Sequence, residues 1–526
     1  MAPTPDGPAG REAFARIWQV PRGPLGWLRA IDNVPIARRY MITAFAFFLL
    51  GGVQALLLRL QLARPESGLL DAATYNQLFT MHGTTMMFLF VIPFLEALAT
   101  FVLPLQLGTR DLPFPRLTAL SYWTFLFGGL FLYSSFLFGA VPDAGWFAYV
   151  PLSGPEYSPG RALDFWDIGL SVAEVAAIGA AAEFIVGILR MRAPGMSLDR
   201  LPPFGWAMLV TAFMIIFAFT PLIVATAMLE LDRKELTRFF DVRYGGNPLL
   251  WQHLFWVFGH PEVYIMFLPA VGVVSQVVQA FARRPLASYT AVVFAMVAIG
   301  FVSFGLWVHH MFATGLPAVA LAFFAVASMV IAVPSGVQIA TWIATLWTGT
   351  LVWRAPLLFV LGFVAIFVLG GLTGVMVAAL PFNWQVHDTY FVVAHFHYVL
   401  IGGVLFPVFA GLYYWLPKLT GRLLDERLGR WNFWLMFAGF NVTFFPLHLA
   451  GLLGMPRRVY TYPAGLGWDT PNLVATLGAL ALGAGVLLFL VNLGWSLRRG
   501  RPAGADPWSA DTLEWSQASP VPDAQF

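Results

Sequence analysis

The chain contains no cysteine, which excludes disulfides, thiolate-held metals and iron–sulfur clusters; any metal must rest on histidine or oxygen. Charge is scarce too. Asp, Glu, Lys and Arg make up 11% of the 526 residues, against about a quarter in soluble domains. The opening MAPTPDGPAGREAFARIW lacks the charged start, short apolar core and cleavage pattern of a signal peptide, and residues 1–37 read as a soluble tail. Neither an internal repeat nor a long linker divides the rest of the chain, and nothing suggests a nucleic-acid partner. What is abundant is apolar: 59% of residues are hydrophobic, with 49 Phe and 20 Trp. This is the composition of a multi-pass protein solvated by membrane lipid.

A helix needs about 20 apolar residues to cross a bilayer. Twelve such runs are found, at roughly 38–60, 77–106, 117–140, 165–190, 204–229, 249–281, 286–311, 319–349, 355–380, 387–417, 430–454 and 470–497. The expected fold is therefore an all-α integral membrane domain over 38–497, with 498–526 a polar surface arm. Alternate connections are basic, carrying Arg110 and Arg116, Arg190 to Arg200, Arg283 and Arg284, Arg354, and Lys418 to Arg430, and the tails add Arg38, Arg39, Arg498 and Arg499. By the positive-inside rule both termini lie in the cytoplasm. On the outer side, MPRRVY breaks the pattern: Arg457 and Arg458 need an anionic partner, whether lipid phosphate, another subunit or something bound.

Ionisable groups at membrane depth are costly and mark function. Six of the nine histidines fall well inside the runs. In VVAHFHYV, His395 and His397 are two apart and so point about 200° apart on a helix. They cannot share a metal, but one helix can hold two axially ligated groups, one on each side. In LWVHHMF, His309 and His310 can reach one ion if the helix is locally irregular, which membranes tolerate around a buried site. In FWVFGHPEVYI, His260 and Tyr264 share a face and Glu262 points elsewhere. The three imidazoles of His260, His309 and His310 suit copper, zinc or iron. A tyrosine beside them has a use only where an electron and a proton must be supplied.

TMHGTTMMF, WVFGHPEVYI, VHHMF, HDTYFVVAHFHYV and GMPRRVY together resemble the catalytic subunit I of heme–copper terminal oxidases of the cytochrome c oxidase type, over about residues 38–499. The resemblance implies a bacterial cytoplasmic-membrane enzyme, partnered by subunits II and III, that reduces O2 to water with electrons from cytochrome c or a quinol and takes up and pumps protons. It implies two hemes and one copper. His82 and His397 are similar to the axial ligands of a low-spin heme, His395 to the single ligand of a high-spin heme, and His260, His309 and His310 to the copper ligands. Tyr264 resembles the tyrosine joined covalently to the first of these histidines. Arg59 resembles the arginine bonded to a heme formyl group, which points to heme A. Trp256, Arg457 and Arg458 resemble residues at the heme propionates, and His387 with Asp388 resembles a magnesium site shared with subunit II.

For protons, Asp111 resembles an entry aspartate and Glu262 the gating glutamate, but other positions depart from the family. Asparagines expected along the path are Thr100 and Thr118, and serines above them are Ala176 and Ala177, while Glu174 and Glu183 are additional carboxylates, on an internal path or an interface. The lysine expected in the eighth helix is Gln338, which orders water but holds no proton near neutral pH. A related nitric oxide reductase generally lacks the tyrosine. A transporter would explain buried glutamates but not histidines at ligand spacing.

Overall fold

The computed structural model describes residues 23–522, so residues 1–22 of the expected N-terminal tail and 523–526 of the C-terminal tail lie outside the described residues. Among the described residues the structure is helical, with two isolated β-bridges and no strand. The long helices are α1 (Asn33–Gln61), α2 (Ala72–Leu107), α3 (Pro115–Ser134), α4 (Ala162–Arg190), α5 (Pro203–Arg233) and α6 (Pro248–Ala282), then α7 (Tyr289–Ser303), α8 (Ala318–Trp347), α9 (Ala355–Ala378), α10 (Tyr390–Thr420), α11 (Glu426–Leu452) and α12 (Asp469–Arg499). Eleven of these are long and apolar enough to cross a membrane, as a multi-pass membrane protein requires; α7 is apolar but shorter, at 15 residues. The expected run over 286–311 is thus only partly one helix. After Ser303 the chain leaves the helix and re-forms as a 3-10 turn, Trp307–Met311, because a buried turn and a buried helix end are equally apolar and hydropathy cannot separate them.

Burial ranks the helices. In α6, 94% of the apolar window is buried, while in α8 the share is 17%, so α6 is the core and α8 faces outward. α6 starts on Asn247, whose side chain accepts from Leu249 N, with Pro248 in the first turn, where its missing N–H costs nothing. Pro261 and Pro269 inside it free carbonyls of the preceding turns, which loosens the helix around His260.

Two helices carry a wider turn. α2 passes through a π segment, Thr85–Val91, and α10 through another, Tyr398–Leu405. Each comes just after a histidine of interest, His82 or His397, and π segments concentrate at functional sites because they re-aim the side chains around them. α10 and α11 approach closely: a Cβ on Gly451 would come within 1.9 Å of Phe391 N, so only glycine fits.

The C-terminal segment is no surface arm. Residues after α12 cross one end of the bundle, where Glu514 accepts from Gln106 Nε2 (3.0 Å) and Trp415 Nε1 (3.3 Å), and Trp515 donates to Tyr414 Oη (2.9 Å). Lys418 Nζ donates to the Ala505 and Gln517 carbonyls. A polar segment docks here because the ends of α2 and α10 offer unpaired polar groups and aromatic rings to it. Beneath it, α2 ends on Gly108 with φ of 71°, a left-handed turn that a side chain would strain and that Ala193 Cβ also crowds. That turn presents Asp111, whose carboxylate accepts from Leu112 N (2.7 Å) and Asn33 N (3.4 Å).

Candidate functional site

His260 comes from α6, and His309 with His310 from the 3-10 turn after α7. The irregular turn that the adjacent histidines require is present. His310 Nε2 lies 3.1 Å from both His260 Nδ1 and His309 Nε2. Ser328 Oγ gives its proton to the Phe324 carbonyl (2.6 Å), so it accepts from His309 Nδ1 (2.9 Å) and leaves His309 Nε2 as a lone pair. One ligand atom from each residue lies within 4.8 Å of the others. Such convergence of nitrogens fits one bound cation, and an all-imidazole set of three suits copper.

The surroundings stiffen this triad. The Trp256 ring stacks on His310 at 4.0 Å and 14°, and its indole N–H is spent on Tyr149 Oη at 2.5 Å. The Tyr264 ring sits 4.8 Å from that of His260, while His260 Nε2, turned away from the other imidazoles, is buried without a partner. Glu262 on the same helix is fully buried, and neither carboxylate oxygen has a hydrogen-bond partner.

α10 presents His395 and His397 to different neighbours, as their spacing requires. His395 Nδ1 faces Thr373 Oγ1 of α9 at 3.0 Å, and because that hydroxyl donates to the Gly370 carbonyl, His395 is the donor. A methyl on Gly374 would sit 3.2 Å from the His395 ring, so the glycine keeps space there. His397 Nδ1 donates to the Val393 carbonyl (2.8 Å), and its ring stacks on Phe444 of α11 at 4.2 Å. His82 Nδ1 donates to the Gly51 carbonyl of α1 (2.9 Å). In all three the Nδ1 hydrogen bond fixes the tautomer that leaves Nε2 free as an axial ligand, which fits iron of a heme.

Arg59 uses one nitrogen on Asn472 (2.9 Å) and leaves Nε and Nη1 buried without acceptors, so a polar acceptor fits there. The loop after α11 folds back on the start of α10: Arg457 N donates to the Asp388 carbonyl (2.8 Å), and Arg458 pairs with Asp388 at 3.4 Å. Arg457 Nε is buried without a partner, and burial with Arg458 alongside lowers its guanidinium to about 10, so it is charged at neutral pH and fits an acid group. His387 Nε2 lies 3.4 Å from Asp388 Oδ2, and both side chains are about half exposed at the molecular surface.

The carboxylates are internal. Glu174 and Glu183 are 1% and 0% exposed, which removes the interface alternative for them. Thr118 donates to Glu183 Oε2 (2.8 Å), and Thr100 donates to the Glu96 carbonyl (2.8 Å). Gln338 is fully buried, and neither its oxygen nor its nitrogen has a partner. Sequence reading passed over Glu96, Tyr40 and Asp167, all buried. The signal was there in IPFLEALATF and DFWDIGL: a carboxylate inside an apolar run is as costly as a histidine there, and as informative.

An all-histidine cation site inside a multi-pass helical bundle, flanked by imidazoles prepared for axial ligation, defines a membrane metalloenzyme of the heme–copper type. Residues 35–481 match the family described as cytochrome C and quinol oxidase polypeptide I, and the chain belongs to it. It is 49% identical to cytochrome c oxidase subunit 1 of Bacillus subtilis over 96% of this chain and 81% of that protein. It is 47% identical to a putative cytochrome c oxidase subunit 1-beta of Streptomyces coelicolor, over 96% and 88%, and 43% identical to quinol oxidase subunit 1 of Bacillus spizizenii, over 94% and 77%. The fold matches a solved heme–copper terminal oxidase dimer with a TM-score of 0.77 at 18% identity, over 94% of this chain and 88% of that one.

Proposed function

We propose that this subunit reduces O2 to water in a bacterial cytoplasmic membrane, with electrons from cytochrome c, and that it takes up and pumps protons as it does so. The observation that carries the reading is the nitrogen cluster of His260, His309 and His310 with Tyr264 against it. His260, His309 and His310 would hold copper, His395 a high-spin heme, and His82 with His397 a low-spin heme; bound there, the metals supply electrons and an open position for oxygen. Tyr264 gives up a further electron and its phenolic proton, and a covalent link at the unpartnered His260 Nε2 makes that easier. Its presence favours oxygen over nitric oxide. Arg59, with two unpaired donors, fits a heme formyl group, so heme A; Arg457, Arg458 and the Trp256–Tyr149 pair border the propionate positions. His387 and Asp388, open at the surface beside Arg458, fit a magnesium ion completed by subunit II, whose copper centre would pass on electrons. Subunit III is the other expected partner. Twelve crossings, with α7 continued by its 3-10 turn, leave both termini in the cytoplasm; turnover with reduced cytochrome c but not with quinol checks the donor.

Protons enter at Asp111 and reach Glu262, because Gln338 cannot carry one and its unpartnered amide only orders water. Burial, with Asp32 adding to it, pushes the Asp111 carboxyl up to about 7 against the pull of its N–H donors and Arg110. The folded protein therefore keeps this proton at pH values where an unfolded chain has released it. Stability from this group is lost as pH rises from the ordinary carboxyl range through about 7, and so is the proton-loaded form that feeds the site. Oxygen uptake measured with excess donor should decline as pH passes that value. Asp111→Asn should cut uptake by roughly tenfold or more, as loss of a proton-transfer group does, whereas Gln338→Met should cost little. A crippled Gln338→Met beside a freely turning Asp111→Asn would put the working path on α8.

A further inference from the structure

Between α1, α2, α4 and α5 lies a small cavity that the route from Asp111 to Glu262 leaves without a role. Glu96 and Glu174 both line it, with Tyr40, Phe88 and Phe219 among the other walls, and no Lys, Arg or His is among its lining residues. Its space for a water centre is about 10 Å³, the room of roughly one water molecule. Tyr40 donates to Glu96 Oε2 at 3.0 Å, leaving Glu96 Oε1 buried without a partner. Glu174 is 1% exposed, and both of its oxygens are unpartnered.

Burying two carboxylates with no cation among the lining residues is costly, so a proton on one or both relieves the site. Too few oxygens converge for calcium, which takes six to eight. The cavity also lies between the two ends of the proposed proton route. On the Asp111 side, Asn33 links that carboxylate to the Thr100 carbonyl (3.4 Å and 3.3 Å), and the Thr100 hydroxyl bonds the Glu96 carbonyl at 2.8 Å. On the other side, Phe88 and Phe219 pack on Phe258 of α6, at 5.7 Å and 5.0 Å between ring centres, so rings lie between the cavity and the helix that carries His260 and Glu262. Asp167, two turns earlier on α4, is buried as well.

We propose that Glu96 and Glu174, bridged by one water and gated by the Tyr40 hydroxyl, form a proton-holding site that this chain inserts between its proton entry and its metal centre. The proposal rests on the reading of the chain as a proton-consuming oxidase. Loading moves one proton onto a carboxylate oxygen from a water hydrogen-bonded to it, and that water is re-protonated from the Asp111 side. Unloading passes the carboxyl proton to the next water and restores the carboxylate; no electron moves within the site.

Infrared difference spectra between oxidised and reduced enzyme, taken on the purified complex in H2O and D2O, test it. Wild type should show a protonated-carboxyl stretch that responds to redox state and shifts in D2O, and Glu96→Gln and Glu174→Gln should each lose a component of it while the heme spectrum stays intact. Tyr40→Phe, which keeps the ring and both carboxyls, should shift the Glu96 component by removing its hydrogen bond; this variant decides the matter if a glutamine variant fails to assemble. Carboxyl bands unchanged in the assembled glutamine variants, or unmoved in Tyr40→Phe, would overturn the proposal. Proton uptake by wild-type enzyme in vesicles separates the two levels: normal uptake with unchanged bands defeats only this site, whereas no uptake during oxygen reduction defeats the proton-coupled reading beneath it.

Discussion

Replacing Tyr264 with phenylalanine is expected to leave hemes and copper in place and to cut oxygen reduction by roughly a hundredfold or more, the range lost when a positioned proton donor is removed. The ring itself packs against His260 at 4.8 Å, and phenylalanine preserves that packing, so the triad keeps its geometry. Only the hydroxyl goes, and with it, on the proposed function, the electron and proton that Tyr264 would contribute to oxygen reduction. Because His260 Nε2 has no other partner, the variant also loses any covalent link at that nitrogen. Stopped-flow mixing of the reduced variant with oxygen, together with steady-state uptake, separates this from a binding defect. Turnover near wild type would remove Tyr264 from the chemistry.

His395→Ala should erase the high-spin heme signal while the low-spin signal persists at near wild-type intensity. The reason is geometric. His395 is held from the α9 side by Thr373, whereas His397 is held by its own helix and stacked on Phe444 of α11, and His82 is held by α1. Removing one imidazole leaves the supports of the other two untouched. Absorption spectra of the reduced, carbon monoxide-treated variant provide the check: loss of both heme signals from a folded protein would mean that the two sites are not separated as these contacts require.

Much of this site was legible in the sequence because imidazoles are rare inside apolar runs and their spacing carries angles. His395 and His397 two apart on a helix could only face different neighbours, and they do. The adjacent pair His309 and His310 needed irregular backbone, and a 3-10 turn supplies it. What escaped had no periodic signal. The end of α7 at Ser303 is as apolar as its middle, so hydropathy ran on to residue 311. The docking of the C-terminal segment depends on partners hundreds of residues away, such as Gln106 for Glu514, and a polar composition alone suggested an arm in water. Glu96 was visible but unremarked, since a lone carboxylate gains meaning only when Glu174 and Tyr40 are seen to share its cavity.

The most direct test of the central claim is the copper content of His309→Ala. The imidazole it removes is held by Ser328 and contributes one nitrogen of the converging cluster, yet it has no hydrogen bond to His82, His395 or His397. Metal analysis of the purified complex should show one copper fewer per complex than in wild type, with heme content by pyridine extraction unchanged. Full copper content in a folded, heme-replete His309→Ala protein would contradict the assignment of His260, His309 and His310 as the copper site.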